Sequence, residues 1–350
     1  MHDYPELEMA RKAMEKENDL YKPSSFWAQA SSEMCEEFCR EGVENFRSLP
    51  MPLDFFVPTY GNPGGGFSDE QSDGLKQWLI ENIPTATKPQ LGLEQFLSGY
   101  NQALGDYRVL KASDIPTQLP NLHNFSESKV GTPKEHFEFE GKFYSRSALN
   151  YLLGLAFLKK HLKGDVPKTV LEIGAGFGTL GEVLSQSGVE GVKYIDIDIP
   201  PTSFVAQYYL SKVLGADNVA TFFKTKDEPI IYIEKLPMAS VLCSWQIEKL
   251  VGKVDLFVNY ISFQEMEPNI VENYCKHISR LKTKWVLLRN IREGKQLLTE
   301  TNPYGVTTPI LSDDYLKMLP DYELVDSSVI PYGYQTVDKY NSELQLFRRK

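Results

Sequence analysis

The spacing of apolar residues divides the chain into two unlike halves. Up to about residue 48, Phe26, Ala30, Met34, Phe38 and Phe46 keep helical intervals, with Ser24 or Ser25 ahead of them as an N-cap. The run SLPMPLDFFVPTYGNPGGGFSDEQ interrupts this with prolines and Gly64-Gly65-Gly66. No Lys-Ser/Thr pair follows the glycines to make a phosphate cradle, so a loop or lid is expected. Ser68-Asp69-Glu70 caps a helix running towards Ile83, and a further helix is expected over 91–107. HFEFEGKFY (136–144) alternates phenylalanine with charge around Glu140-Gly141 and predicts a hairpin. Ser145 to Leu162 predicts an amphipathic helix.

After Val170 the pattern changes to strand, helix, strand. Strands are expected near 169–173, 192–198, 239–243, 254–260 and 284–289, with helices near 179–187, 202–214 and 268–281. Two strand-like pieces, 322–328 and 343–349, end the chain. Such alternation predicts an α/β fold on a parallel sheet. A mostly helical N-terminal unit (1–145) would stand over a sheet domain (146–350).

Length and charge narrow the function. At 350 residues two structural units are expected, and 42% hydrophobic with 24% charged residues is an ordinary soluble composition. The N-terminus is charged throughout, unlike a secretory signal, and no apolar run reaches the roughly 18 residues of a membrane span. Cys35, Cys39, Cys243 and Cys275 do not make a disulfide framework, which fits a cytoplasmic location. The net charge is −10 without a basic stripe, so a nucleic-acid partner is not expected.

The chemistry concentrates in VLEIGAGFGTLGEVL (170–184), which parses in two ways. Gly176-x-Gly178-x-x-Gly181 fits a dinucleotide fingerprint, whereas Gly174-x-Gly176-x-Gly178 fits a loop for S-adenosyl-L-methionine. Both need glycine, because only glycine lets the backbone turn sharply and approach a ligand. Charge separates them. Glu172, two residues before the first glycine, would repel a diphosphate and attract an ammonium and a sulfonium. In YIDIDIPP, Asp196 and Asp198 share a face, and an acid at that strand end can accept both ribose hydroxyls. Asp198 is the better candidate because Ile199-Pro200 turns the chain directly after it.

LEIGAGFGTLGE with its acid-tipped second strand resembles class I S-adenosylmethionine-dependent methyltransferases. Together with YIDIDIPPT, SWQIEKL and NYISFQEMEP, it resembles a family of sugar O-methyltransferases from bacterial glycan and natural-product gene clusters. The resemblance implies a Rossmann-like seven-stranded sheet, mostly parallel with the last strand antiparallel. It also implies methyl transfer to a sugar hydroxyl on a glycan, glycolipid or glycosylated metabolite. Trp245 and Gln246 would then flank the adenine, Asn259 would contact the cofactor, and the loop after it would face the transferred methyl. Glu265 on that loop is the first choice of general base, with His123 and His136 as alternatives. Arg146 would meet the cofactor carboxylate or an acidic group of the substrate, and Arg289 ends the fifth strand on the same side. No metal site is expected, since the acid pairs Asp313-Asp314 and Asp196/Asp198 lack a third oxygen ligand. The competing expectations are an NAD-dependent reductase or epimerase, a methyltransferase-like module without chemistry, and transfer to nitrogen or carbon.

Overall fold

The computed structural model describes residues 2–61, 68–83, 87–302, 305–336 and 338–350. Gly64-Gly65-Gly66 lies outside the described residues. Seven strands make the body of one sheet: β1 (Thr169–Ile173), β2 (Lys193–Asp198), β3 (Ala239–Cys243), β4 (Leu256–Tyr260), β5 (Trp285–Ile291), β6 (Tyr322–Ser328) and β7 (Asn341–Arg349). Their order is β6-β7-β5-β4-β1-β2-β3, with the two-residue strand Val219–Ala220 beyond β3 and Tyr334–Gln335 on β7. Strands β1 to β5 run parallel, and β7 pairs antiparallel with both β5 and β6. This is the expected Rossmann-like α/β architecture, with β7 as the antiparallel strand.

The parallel strands are apolar on both faces, as burial under helices requires. Alternation sends neighbouring residues into different cores. Val170, Tyr194, Val241 and Val258 belong to one cluster, while Leu171, Ile195, Leu242 and Phe257 belong to the other. The first cluster includes helices α7 (Arg146–Lys159), α8 (Thr179–Ser185) and α9 (Thr202–Leu214), and the second includes α11 (Pro268–Arg280) and α12 (Ser312–Met318). Helix α10 (Phe222–Thr225) is a single turn beside β3.

The N-terminal unit joins both cores. Helices α2 (Ser25–Glu41) and α6 (Tyr100–Ser113) contribute Ala30, Met34, Phe38, Ala103 and Leu110 to the first. Ala10 of α1 (Pro5–Met14) and Tyr21 belong to the second. The short α3 (Pro50–Phe55) is followed by α4 (Asp69–Asn82), which carries the expected cap as a Ser68–Gln71 capping box. The hairpin also forms, Phe137–Phe139 against Lys142–Tyr144.

Two expectations fail. The single helix over 91–107 is instead α5 (Thr87–Leu97) and α6, broken at Gly99, whose φ of 74° suits glycine and whose α-carbon lies against Tyr60 and Gly61. Helix α7 is not amphipathic, because every residue from Ser147 to Lys159 is buried. The sheet covers one side and the N-terminal helices cover the other, so its apolar circumference is required. Even Lys159 is enclosed, its Nζ donating to Asp114 Oδ1 at 2.5 Å and to the carbonyls of Ile115 and Pro120. Removing one partner of such a pair leaves a buried charge without compensation. Lys159→Ala is therefore expected to destabilise the protein by about 3–5 kcal/mol, measured as a lower urea midpoint.

Candidate functional site

The strand order reverses between β1, which leads on to β2, and β4, which leads on to β5. Sheets of this kind hold ligands outside the carboxyl ends of the strands at such a point. A cavity lies there. Its floor is Ile173, Gly174 and Gly176 after β1, Asp198 ending β2, Ser244 after β3, and Tyr260, Ile261 and Ser262 at the end of β4. Helix α7 adds Ser147, Asn150 and Tyr151, and the N-terminal unit closes over them with Ser24, Trp27, Phe55 and Phe56.

The glycine loop is fixed from below. Gly174, Gly176 and Gly178 have φ of 70°, 63° and 87°, the left-handed region that disfavours side chains. A Cβ on Gly174 would overlap the side chain of Ser262. Ser262 cannot yield, because its Oγ donates to Ile173 O at 3.2 Å and accepts from Asn259 Nδ2 at 2.6 Å. Asn259 also donates to Ile173 O at 2.9 Å and accepts from Phe263 N at 3.2 Å. Ile261, β-branched yet at φ 71°, makes the turn that aims Ser262. Backbone strain of this sort persists where surrounding contacts enforce it, often beside ligand sites. Gly178 plays another part. It caps α8 and lies against Leu210, while Gly181 lies against Tyr194 and Leu210.

The three acids near the loop have different surroundings. Asp198 lines the cavity, its Oδ2 accepting from Gly176 N at 3.3 Å and its Oδ1 from Ile199 N at 2.7 Å. Burial pushes its pKa up to about 7, against the lowering effect of those two N–H groups. Glu172 stands behind the wall, not on it. Its carboxylate accepts from Tyr151 Oη at 2.6 Å and Tyr194 Oη at 2.5 Å, and burial pushes it up to about 7 as well. Strand pairing sets Asp196 beside Glu172, where it is fully buried, off the cavity and without a hydrogen-bond partner for either oxygen. Burial first, then Asp198 and Glu172, raise its pKa well above the usual carboxylate range.

Of the candidate bases, the structure brings only Glu265 to the cavity. Its Oε2 accepts from Trp27 Nε1 at 3.2 Å, and Lys295 Nζ lies 3.2 Å from its Oε1. His136 is elsewhere, nearly buried in a cluster where its Nε2 lies 2.9 Å from Arg47 Nη2 and 3.2 Å from Glu127 Oε2. His123 is partly exposed, with Nδ1 3.7 Å from Asp114 Oδ2, also off the cavity. Both histidines are absorbed by neighbouring carboxylates of the N-terminal unit.

Three cofactor candidates also stand away from the cavity. Trp245 packs edge-on against Phe222 in the second core. Gln246 is used inside the fold, accepting from Cys243 N and donating to Thr225 Oγ1, so Ser244 alone of that triplet reaches the cavity. Arg146 points outward, donating to Thr59 O at 2.7 Å and Tyr334 Oη at 3.2 Å. Asn259 acts from underneath, through Ser262. Sequence reasoning missed Trp27, Phe55, Asn150, Tyr151 and Lys295. Asn150 left a signal as a polar residue within an apolar helix, whereas Trp27 and Lys295 reach the site only through tertiary packing.

No protein-family model matches the chain, and no curated protein does. Among solved structures it is similar to a magnesium protoporphyrin IX methyltransferase from Synechocystis with bound S-adenosylhomocysteine, at 16% identity over 59% of this chain and 88% of that one, TM-score 0.38. It is similar to a mitomycin 7-O-methyltransferase at 11% identity over 79% and 60%, TM-score 0.36. An Aquifex aeolicus S-adenosylmethionine-dependent methyltransferase shares 18% identity over 58% and 94%, TM-score 0.37. No helix among the described residues is long and apolar enough to cross a membrane.

The buried acids carry a pH signature. Glu172, Asp198 and Glu182 are all pushed up to about 7, chiefly by burial. The unfolded chain releases those protons near the ordinary carboxylate range. Between the two ranges the folded state holds more protons, so stability falls as pH rises and levels off above about 7. The ligand-free protein is expected to melt at a higher temperature near about pH 5.5 than near about pH 7.5 in scanning calorimetry at constant ionic strength.

Proposed function

We propose that the chain is an S-adenosyl-L-methionine-dependent O-methyltransferase acting on a hydroxyl of a sugar-containing acceptor. The observation that carries this is the make-up of the cavity at the strand reversal. Gly174 and Gly176 leave the loop bare, and Asp198 presents a carboxylate beside it. Among the described residues the acids lining the cavity are Asp198 and Glu265 and the lining cation is Lys22, with Lys295 paired to Glu265 from outside the lining. A cationic nucleoside suits that balance, and a diphosphate does not. Against the dinucleotide parse, Gly178 and Gly181 pack on Leu210 and Tyr194 and do not line the cavity.

Asp198 would hold the ribose hydroxyls, and the Gly174–Gly176 backbone the amino-acid end. When bound, S-adenosylmethionine supplies an electrophilic methyl group. The protein's part is to seat the acceptor oxygen and exclude water, which can supply roughly 7–11 kcal/mol of the barrier. Trp27, Phe55 and Phe56 form an apolar wall, and Glu265 beside Trp27 accepts the acceptor's hydroxyl proton. An aromatic face next to a carboxylate suits a sugar, which offers C–H groups on one side and hydroxyl donors on its edge.

Calorimetry is expected to show S-adenosylmethionine binding and no NAD binding, with Asp198→Asn weakening the former by about tenfold or more. Uptake of NAD with no affinity for S-adenosylmethionine would return the chain to the dinucleotide class. Glu265→Gln is expected to keep cofactor affinity within about threefold and to lose about 10²-fold or more in turnover, followed as S-adenosylhomocysteine release across a panel of bacterial glycans and glycosylated metabolites. Turnover within about threefold of the unsubstituted protein would remove Glu265 from the base role.

A further inference from the structure

Arg289 is an expensive residue with no evident structural return. It lies near the carboxyl end of β5, 2% exposed, and its Nε donates to the neutral Ser342 Oγ at 3.2 Å. Among the described residues Arg289 makes no ion pair with a carboxylate, Asp106 acting on it only through space, and its Nη1 has no hydrogen-bond partner. Buried guanidinium groups are ordinarily paired, and one left short of partners points to a missing ligand.

A second arginine shares the place. Arg146, the first residue of α7, has its Cζ 5.5 Å from the ring of Tyr334, and Arg289 has its own 5.8 Å from the same ring. Asp106 is an acid that both cations act on, and it already accepts the hydroxyl of Tyr60 at 2.5 Å. Tyr260 links this cluster to the cavity. Its ring stacks on Tyr151 at 4.9 Å and lines the cavity, while its buried hydroxyl has no partner and lies within the electrostatic reach of Arg289. Pro58 and Ser147, next in sequence to Thr59 and Arg146, also line the cavity. The pair of arginines thus stands beside the cavity, joined to it through Tyr260, without lining it.

The geometry points to an oxyanion subsite, in which Arg146 and Arg289 receive a carboxylate or phosphate carried by the sugar acceptor. This rests on the methyl-acceptor role proposed above and narrows it to acidic sugars. Guanidinium groups match such oxyanions with paired N–H donors. An oxyanion there would satisfy Arg289 Nη1 and offset the excess of positive charge. Tyr334, at 41% exposure on a two-residue strand, is the cover that an entering anion would displace from Arg146.

The test uses the full chain without cofactor, so it is separate from the S-adenosylmethionine titration. Glucuronate, glucose 6-phosphate and glucose are titrated by calorimetry at constant ionic strength into the protein and into Arg146→Gln and Arg289→Met. At least one anionic sugar is expected to bind about tenfold or more tighter than glucose, and both variants are expected to reduce that preference to about twofold or less. Preference for glucuronate identifies a carboxylate as the natural group, and preference for glucose 6-phosphate a phosphate. Equal binding of all three sugars, binding of none, or a preference that survives in Arg146→Gln overturns the proposal. Should Arg289→Met fail to fold, Arg146→Gln decides alone.

Discussion

Helix α7 has no face for water, and most of the molecule is arranged around that fact. Its residues from Ser147 to Lys159 are buried between the sheet and the N-terminal helices. A helix apolar all round must be covered all round. Helices α2 and α6 therefore pack into the same core as the sheet. That packing delivers Trp27, Phe55 and Phe56 to the cavity, whose other wall is α7 itself through Ser147, Asn150 and Tyr151. The element that anchors the N-terminal unit also sets the distance between that unit and the strand ends.

The electrostatics of the cavity come in layers. Asp198 is at the surface, and Glu172 and Asp196 stand behind it with no access of their own. Tyr151 bridges the layers, one side lining the cavity and its hydroxyl on Glu172. Burial and Glu265 raise the cost of charging Asp198, Asp198 in turn raises it for Glu172 and Asp196 behind it, and a cation in front of Asp198 lowers its own cost. Entry of a cationic ligand would thus shift the proton balance of groups it never touches.

The sheet was legible because its signals are local. Each parallel strand is a short apolar run bounded by turn residues, and β3 falls on the residues that its pattern predicts, Ala239–Cys243. Gly174 and Asp198 were legible for the same reason, being strand-end residues with a chemistry of their own. Other sites were decided by partners far away in the chain. His136 looks available until Arg47 and Glu127 surround it, and Arg146 looks directed at the cofactor until Thr59 and Tyr334 take its hydrogen bonds. Gln246 was placed correctly in sequence but spent on capping its own turn. Trp27 had no local signal, since its value comes from meeting Glu265 across 238 positions.

The stretch from Gly174 to Gly181 reads as one motif, yet it answers to two masters. Its front half, Gly174 and Gly176, is bare so that the cavity can exist, and its back half, Gly178 and Gly181, is bare so that α8 can press on Leu210 and Tyr194. A methyl group added in front would press on Ser262 or approach the carbonyl of Phe56, and one added behind would be felt by the core. Transplanting the loop into another sheet would thus carry over only half of its logic, unless a leucine and a tyrosine waited in the right places to receive the rest.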